Sequence, residues 1–129
     1  IEHHSIQDSN PIRGSICRAA RDIAHQIGAR AIIVESATGK VARAMVHFRP
    51  DVPIIAVVTS SLVCKKLCLN WGITALIGEE KKTSDAITKQ AMEKALSTGY
   101  FKKGDIVVVI SSNRTAPTSS TDSLNVRIL

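Results

Sequence analysis

Ala31-Ile32-Ile33-Val34-Glu35-Ser36-Ala37-Thr38-Gly39-Lys40 carries the decisive signal in this chain. The apolar run Ala31 to Val34 reads as a buried strand. Glu35 to Lys40 is a small, hydroxyl-rich loop, and from Val41 to Phe48 apolar residues recur at helical spacing. A loop between a strand and a helix aims free backbone N–H groups and the positive end of a helix dipole at one place. That place suits a phosphate or a carboxylate.

Upstream of this stretch, a helix is predicted from Asn10-Pro11, with Ser9 or Asn10 as cap and Pro11 in the first turn. Ile12, Ile16, Ala19, Ala20, Ile23, Ala24 and Ile27 form its apolar stripe, and Gly28 ends it. Arg13, Arg18, Arg21 and Asp22 fall off the stripe and are expected in solvent, with His25 partly exposed. Residues 1–9 read as a lead-in or connector, and residues 10–129 as one domain.

Downstream, a short helix covers about Lys40 to His47, and Arg49-Pro50-Asp51-Val52-Pro53 is a stiff connector because proline fixes its own φ and disfavours helix before it. Ile54 to Val58 is a second continuous apolar run, as in parallel strands covered on both faces. Thr59-Ser60-Ser61 can cap a third helix, Leu62 to Leu69, stopped by Asn70-Trp71-Gly72. Ile73 to Ile77 is a third strand. Thr83 or Ser84 caps a fourth helix running to about Thr98. Ile106 to Ile110 is the most hydrophobic strand, Ser111 to Ser123 is rich in Ser and Thr, and Leu124 to Leu129 can form a last strand.

The order α-β-α-β-α-β-α-β-β calls for an α/β fold: three layers, α/β/α, around a mostly parallel five-stranded sheet that leaves the last strand free to run antiparallel. Ligands on such sheets sit at the carboxyl ends of the strands. Here those ends are Glu35–Lys40, Thr59–Ser61, Gly78 onward and Ser111–Ser123, of which the first, second and fourth are dense in hydroxyls. Ser and Thr also serve simply as caps and turn formers at helix entrances.

At 129 residues the chain can bury roughly two-thirds of the surface its unfolded form would expose. Hydrophobic residues at 44% and charged residues at 22% are those of a globular domain. No apolar run approaches the ~20 residues of a membrane span. The net charge of +6 favours anionic partners. Nucleic acid is disfavoured, because Phe48, Trp71, Tyr100 and Phe101 are scattered and the basic residues are spread out. Cys17, Cys64 and Cys68 make no C-x-x-C pair, which suggests a reducing, intracellular compartment. Cys64 and Cys68, four apart on a helix, read better as small apolar residues on a core-facing stripe than as half a metal site.

Thr38-Gly39-Lys40 after a strand suggests a P-loop, but the second glycine is missing and Val41 stands where Ser or Thr would hold magnesium. The histidines at 3, 4, 25 and 47 lie beside no nucleophile, and no carboxylates pair at the strand ends. The residues themselves offer no catalytic centre and no metal site.

The order of segments resembles a known family. Ala31-Ile32-Ile33-Val34, the Thr38-Gly39-Lys40 loop, Arg43, and Phe48-Arg49-Pro50-Asp51-Val52-Pro53-Ile54-Ile55-Ala56-Val57 are together similar to the C-terminal domain of pyruvate kinase. Leu69-Asn70-Trp71-Gly72-Ile73 and Gly99-Tyr100-Phe101-Lys102-Lys103-Gly104-Asp105 extend the likeness over about residues 10 to 129, and Trp71 resembles plastid-type members. The resemblance implies a domain that supplies a tetramer contact and, in many members, an effector site for a sugar phosphate. The full enzyme, working in glycolysis, transfers the phosphoryl group of phosphoenolpyruvate to ADP with magnesium and potassium, giving pyruvate and ATP. Its catalytic residues lie in a preceding barrel, so this chain alone is expected to be inactive and to need no cofactor of its own. Carried over, the phosphate loop falls on Ser36, Ala37, Thr38, Gly39 and Lys40, with Arg114 as a second effector contact. A hydroxyl usual in the loop is replaced by Val41, and the segment Asn113 to Asp122 lacks the family's glycines. A monophosphate effector, or none, fits these residues better than fructose 1,6-bisphosphate. The cytoplasm or a plastid is the expected compartment, and a free-standing phosphometabolite-binding module is the alternative reading.

Overall fold

Two continuous apolar runs explain the architecture. In Ala31–Glu35 (β1) and Ile54–Val58 (β2) every residue is buried, because successive side chains feed opposite faces of one sheet and both faces are covered. The computed structural model describes residues 11–36, 38–80, 83–113 and 120–129. The remaining elements are Pro11–Ile27 (α1), Lys40–His47 (α2), Ser61–Leu67 (α3), Ile73–Ile77 (β3), Ser84–Ser97 (α4), Ile106–Asn113 (β4) and Ser120–Ile128 (β5).

The sheet has five strands in the order β3-β2-β1-β4-β5. Strands β3, β2, β1 and β4 are parallel, and β5 runs antiparallel to β4. Chain direction dictates where the helices lie. The steps β1→β2→β3 move outward one way, with α2 and α3 on one face. The step β3→β4 returns across β1, so a right-handed crossover puts α4 on the other face. Ile32, Val34, Ile54, Ala56, Val108 and Ile110 pack under α1, α2 and α3, joined by Cys17, Met45 and Leu67. Ala31, Ile33, Ile55, Val57, Val107 and Val109 pack against Ala91 and Ala95 of α4. The sequence-derived three-layer fold is the observed one, and β5 takes the antiparallel option.

Several boundaries move. Helix α3 spans Ser61–Leu67 rather than Leu62 to Leu69, with the Ser60 hydroxyl accepting the Val63 N–H at 3.3 Å. Thr83 caps α4 through the Ala86 N–H at 3.1 Å. Strands β4 and β5 both run into the Ser/Thr-rich stretch expected to be a loop, because each supplies the other's backbone partners: Ser111 faces Ser123 and Asn113 faces Ser120, with a register shift between Ser111 and Ser112. Residues 1–9, and the expected caps Ser9 and Asn10, lie outside the described residues.

Arg18 is exposed, as expected, and Arg21 is half-buried; their guanidinium carbons stand 5.9 and 5.7 Å from the centre of the Phe48 ring, within cation–π range. Arg21 also donates to the Phe48 carbonyl at 3.4 Å. Cys68 is exposed rather than core-facing, while Cys17 is buried and Cys64 half-buried. Exposed His25 meets Asp51, Nδ1 to Oδ2, at 2.6 Å and ties the end of α1 to the proline-rich connector.

Candidate anion site at the end of strand β1

Strand order places the site before any side chain is considered. After β1 the chain turns toward β2, and after β4 it continues on the opposite side of β1. The carboxyl ends of β1 and β4 therefore form the point where loops diverge, and in open α/β sheets the ligand crevice lies there. Val34 pairs with Ile110, which brings Glu35 and Ser36 to the level of Ser111.

Ser36 is buried and its N–H donates to the Val57 carbonyl at 3.1 Å, anchoring the loop to β2. Its hydroxyl oxygen accepts the Gly39 N–H at 3.0 Å, closing a tight turn. Gly39 caps α2 in the left-handed region, at φ 80° and ψ 1°, and its carbonyl accepts the first helical bond from the Arg43 N–H at 3.0 Å. Thr38 and Lys40 are exposed, with the Lys40 N–H 3.4 Å from the Thr38 hydroxyl oxygen. Helix geometry leaves the N–H groups of Lys40, Val41 and Ala42 without carbonyl partners inside the helix.

The expected five-residue cradle is thus sorted into parts. Ser36 and Gly39 organise the turn, whereas Thr38 and Lys40 face solvent. Ala37 and Arg114 lie outside the described residues. Val41 is buried in the core, so its side chain serves packing. Arg43 was not among the predicted site residues. One turn into α2, its Nη2 donates to the Thr38 carbonyl at 3.4 Å, placing a second cation beside Lys40. The signal was present as spacing, since Arg43 lies four residues after Gly39 and so on the same helix face.

Glu35, the last residue of β1, is 1% exposed and puts a carboxyl group at the root of the loop. Ionised, it opposes an anion held nearby. No acidic residue occupies the first turn of α2, so the positive helix end there is not neutralised from within the helix. Among the described residues no three His, Cys, Asp or Glu side chains converge as a ligand set.

Residues 14–127 match the family described as "Pyruvate kinase, alpha/beta domain". Pyruvate kinase of Clostridium acetobutylicum is 36% identical over 121 residues, covering 94% of this chain and 25% of that protein. The enzyme of Bacillus licheniformis is 30% identical over 109 residues, covering 84% of this chain and 19% of that protein. Among solved structures, Cryptosporidium parvum pyruvate kinase in complex with ADP superposes with a TM-score of 0.79 at 23% identity, over 97% of this chain and 26% of that one, a likeness of fold. The chain spans about a fifth to a quarter of the length of these relatives. The two curated relatives are bacterial, so the plastid-type expectation gains no support from them. With the family match over residues 14–127, a relative 36% identical over 94% of this chain and the shared fold, the chain belongs to the pyruvate kinase alpha/beta domain family.

Proposed function

We propose that this chain is the regulatory and assembly domain of a pyruvate kinase. In this role the loop Ser36 to Lys40 receives the phosphate of a sugar-phosphate effector and biases a homotetramer whose chemistry resides in a preceding catalytic barrel. The observation that carries the effector role is that the N-terminus of α2, whose cap Gly39 offers no side chain to its N–H groups, stands with Lys40 and Arg43 at the point where the loops after β1 and β4 diverge. A phosphate there accepts from the opening N–H groups of α2 and the Thr38 hydroxyl while Lys40 supplies charge. Ser36 contributes by holding Gly39 in the turn. Phosphoryl transfer from phosphoenolpyruvate to ADP, with its magnesium and potassium, belongs to the whole enzyme of glycolysis, within the cell. This chain alone is inactive in that reading.

The test is an NMR titration of the chain with a hexose monophosphate and, separately, inorganic phosphate. The Thr38 to Val41 amides are expected to shift, and Lys40→Ala to weaken binding by about five- to tenfold, the usual worth of one charge-assisted contact. No movement of those amides with either ligand removes the effector role and leaves the family assignment standing.

A further inference from the structure

The thiols of Cys64 and Cys68 fall outside the loop and outside everything its chemistry uses. Helical geometry persists through Cys68, which caps α3 at φ −62° and ψ −17°, and its N–H donates to the Cys64 carbonyl at 3.0 Å. Two side chains four apart on such a turn are neighbours on one face, their Cβ atoms about 5–6 Å apart. The Cys64 thiol is tethered, donating to the Ala75 carbonyl of β3 at 3.6 Å. Cys68 is exposed and lines a groove with Arg49, Asn70 and Trp71. Burial, and then the neighbouring Cys68, push the Cys64 thiol pKa up, so this thiol stays protonated at neutral pH. No third metal-ligating side chain joins them among the described residues. That composition is wrong for tetrahedral zinc and right for a species that needs two sulfurs.

We propose that Cys64 and Cys68 form a two-thiol binding site for trivalent arsenicals. With an arsenic(III) oxide R–As=O, two S–H bonds and the arsenic–oxygen bond break and two arsenic–sulfur bonds form. The two protons leave with the oxide oxygen as one water, and no atom changes oxidation state. Cys68, exposed, meets the arsenical first; Cys64, held one turn away, closes the ring.

The test uses phenylarsine oxide and the full chain, read by intact mass and by the fluorescence of Trp71, the single tryptophan, which lines the same groove. One equivalent is expected to bind with loss of one water, to change Trp71 emission, and to resist excess monothiol while yielding to a dithiol. Cys64→Ser and Cys68→Ser are each expected to weaken binding at least tenfold, and Cys17→Ser to leave it unchanged. Cys68→Ser alters an exposed side chain, and circular dichroism confirms its fold. Wild-type binding by either Cys64→Ser or Cys68→Ser, or an adduct stripped by monothiol, overturns the proposal. Zinc binding by the pair tighter than that of the arsenical would overturn it as well.

Discussion

Gly39 carries two independent demands at one Cα. Its φ of 80° costs a residue with a side chain about 1–2 kcal/mol. A Cβ there would also stand 3.2 Å from each of Arg43 Nη1, Val63 Cγ1 and Leu67 Cδ2. Gly28 has a similar φ, 69°, with nothing within 4 Å of its Cβ position, and so isolates the backbone part. Gly39→Ala is expected to lose about 2–4 kcal/mol in urea denaturation, the backbone cost plus crowding of about 1–2 kcal/mol. Gly28→Ala should lose only the backbone part. Equal losses at the two positions would show that α3 gives way freely. Because Val63 and Leu67 form the floor under Gly39, the candidate anion loop is seated on α3 as well as on β1.

At the scale of elements, loops are held by side chains reaching from neighbouring helices. Gln90 of α4 grips the segment after β3 twice: its Oε1 accepts the Glu79 N–H at 2.7 Å and its Nε2 donates to the Glu79 carbonyl at 2.8 Å. Close approach requires Gly78, whose added Cβ would lie 2.9 Å from Val57 Cγ1 and 3.0 Å from the Gln90 amide. Gln90 is buried, so Gln90→Ala leaves two backbone groups without their partner, at about 1–3 kcal/mol. Faster hydrogen exchange at the Glu79 amide is expected, with the α2 amides unaffected; unchanged exchange at Glu79 would assign the grip no role. On the opposite face, Phe48 meets the Arg18 and Arg21 guanidinium groups and so fastens α1 to the end of α2.

For the whole molecule, the thickness of the α4 layer is set by small residues. Ala91 and Ala95, both fully buried, allow α4 to lie close to Ile33, Ile55 and Val107. Ala91→Leu overpacks that face and is expected to lower stability by about 1–3 kcal/mol with an unchanged denaturant m-value. A fall in the m-value would mean that the α4 layer separates before the rest of the sheet. The other face, covered by three helices, tolerates volume changes at half-buried Ile16 or Ile23 better, since each has solvent on one side.

The amino-acid sequence by itself determined the layered fold of this protein and the position of its loop. Continuous apolar runs with Gly-ended amphipathic helices between them admit little else, and local spacing is a property of the chain. Tertiary structure alone decided the rest. Ser36 turns inward because its hydroxyl lies within reach of the Gly39 N–H, a matter of turn geometry that residue types do not state. Arg43 joins the loop because helix and strand meet there. Strands β4 and β5 extend into a polar Ser/Thr stretch because each satisfies the other's backbone, a long-range pairing with no local apolar signature. Cys68 departs from its core-facing expectation: it caps α3 and stands exposed, whereas Cys64 one turn back reaches the Ala75 carbonyl of β3. Periodicity records which residues can be buried, and only packing decides which of them are.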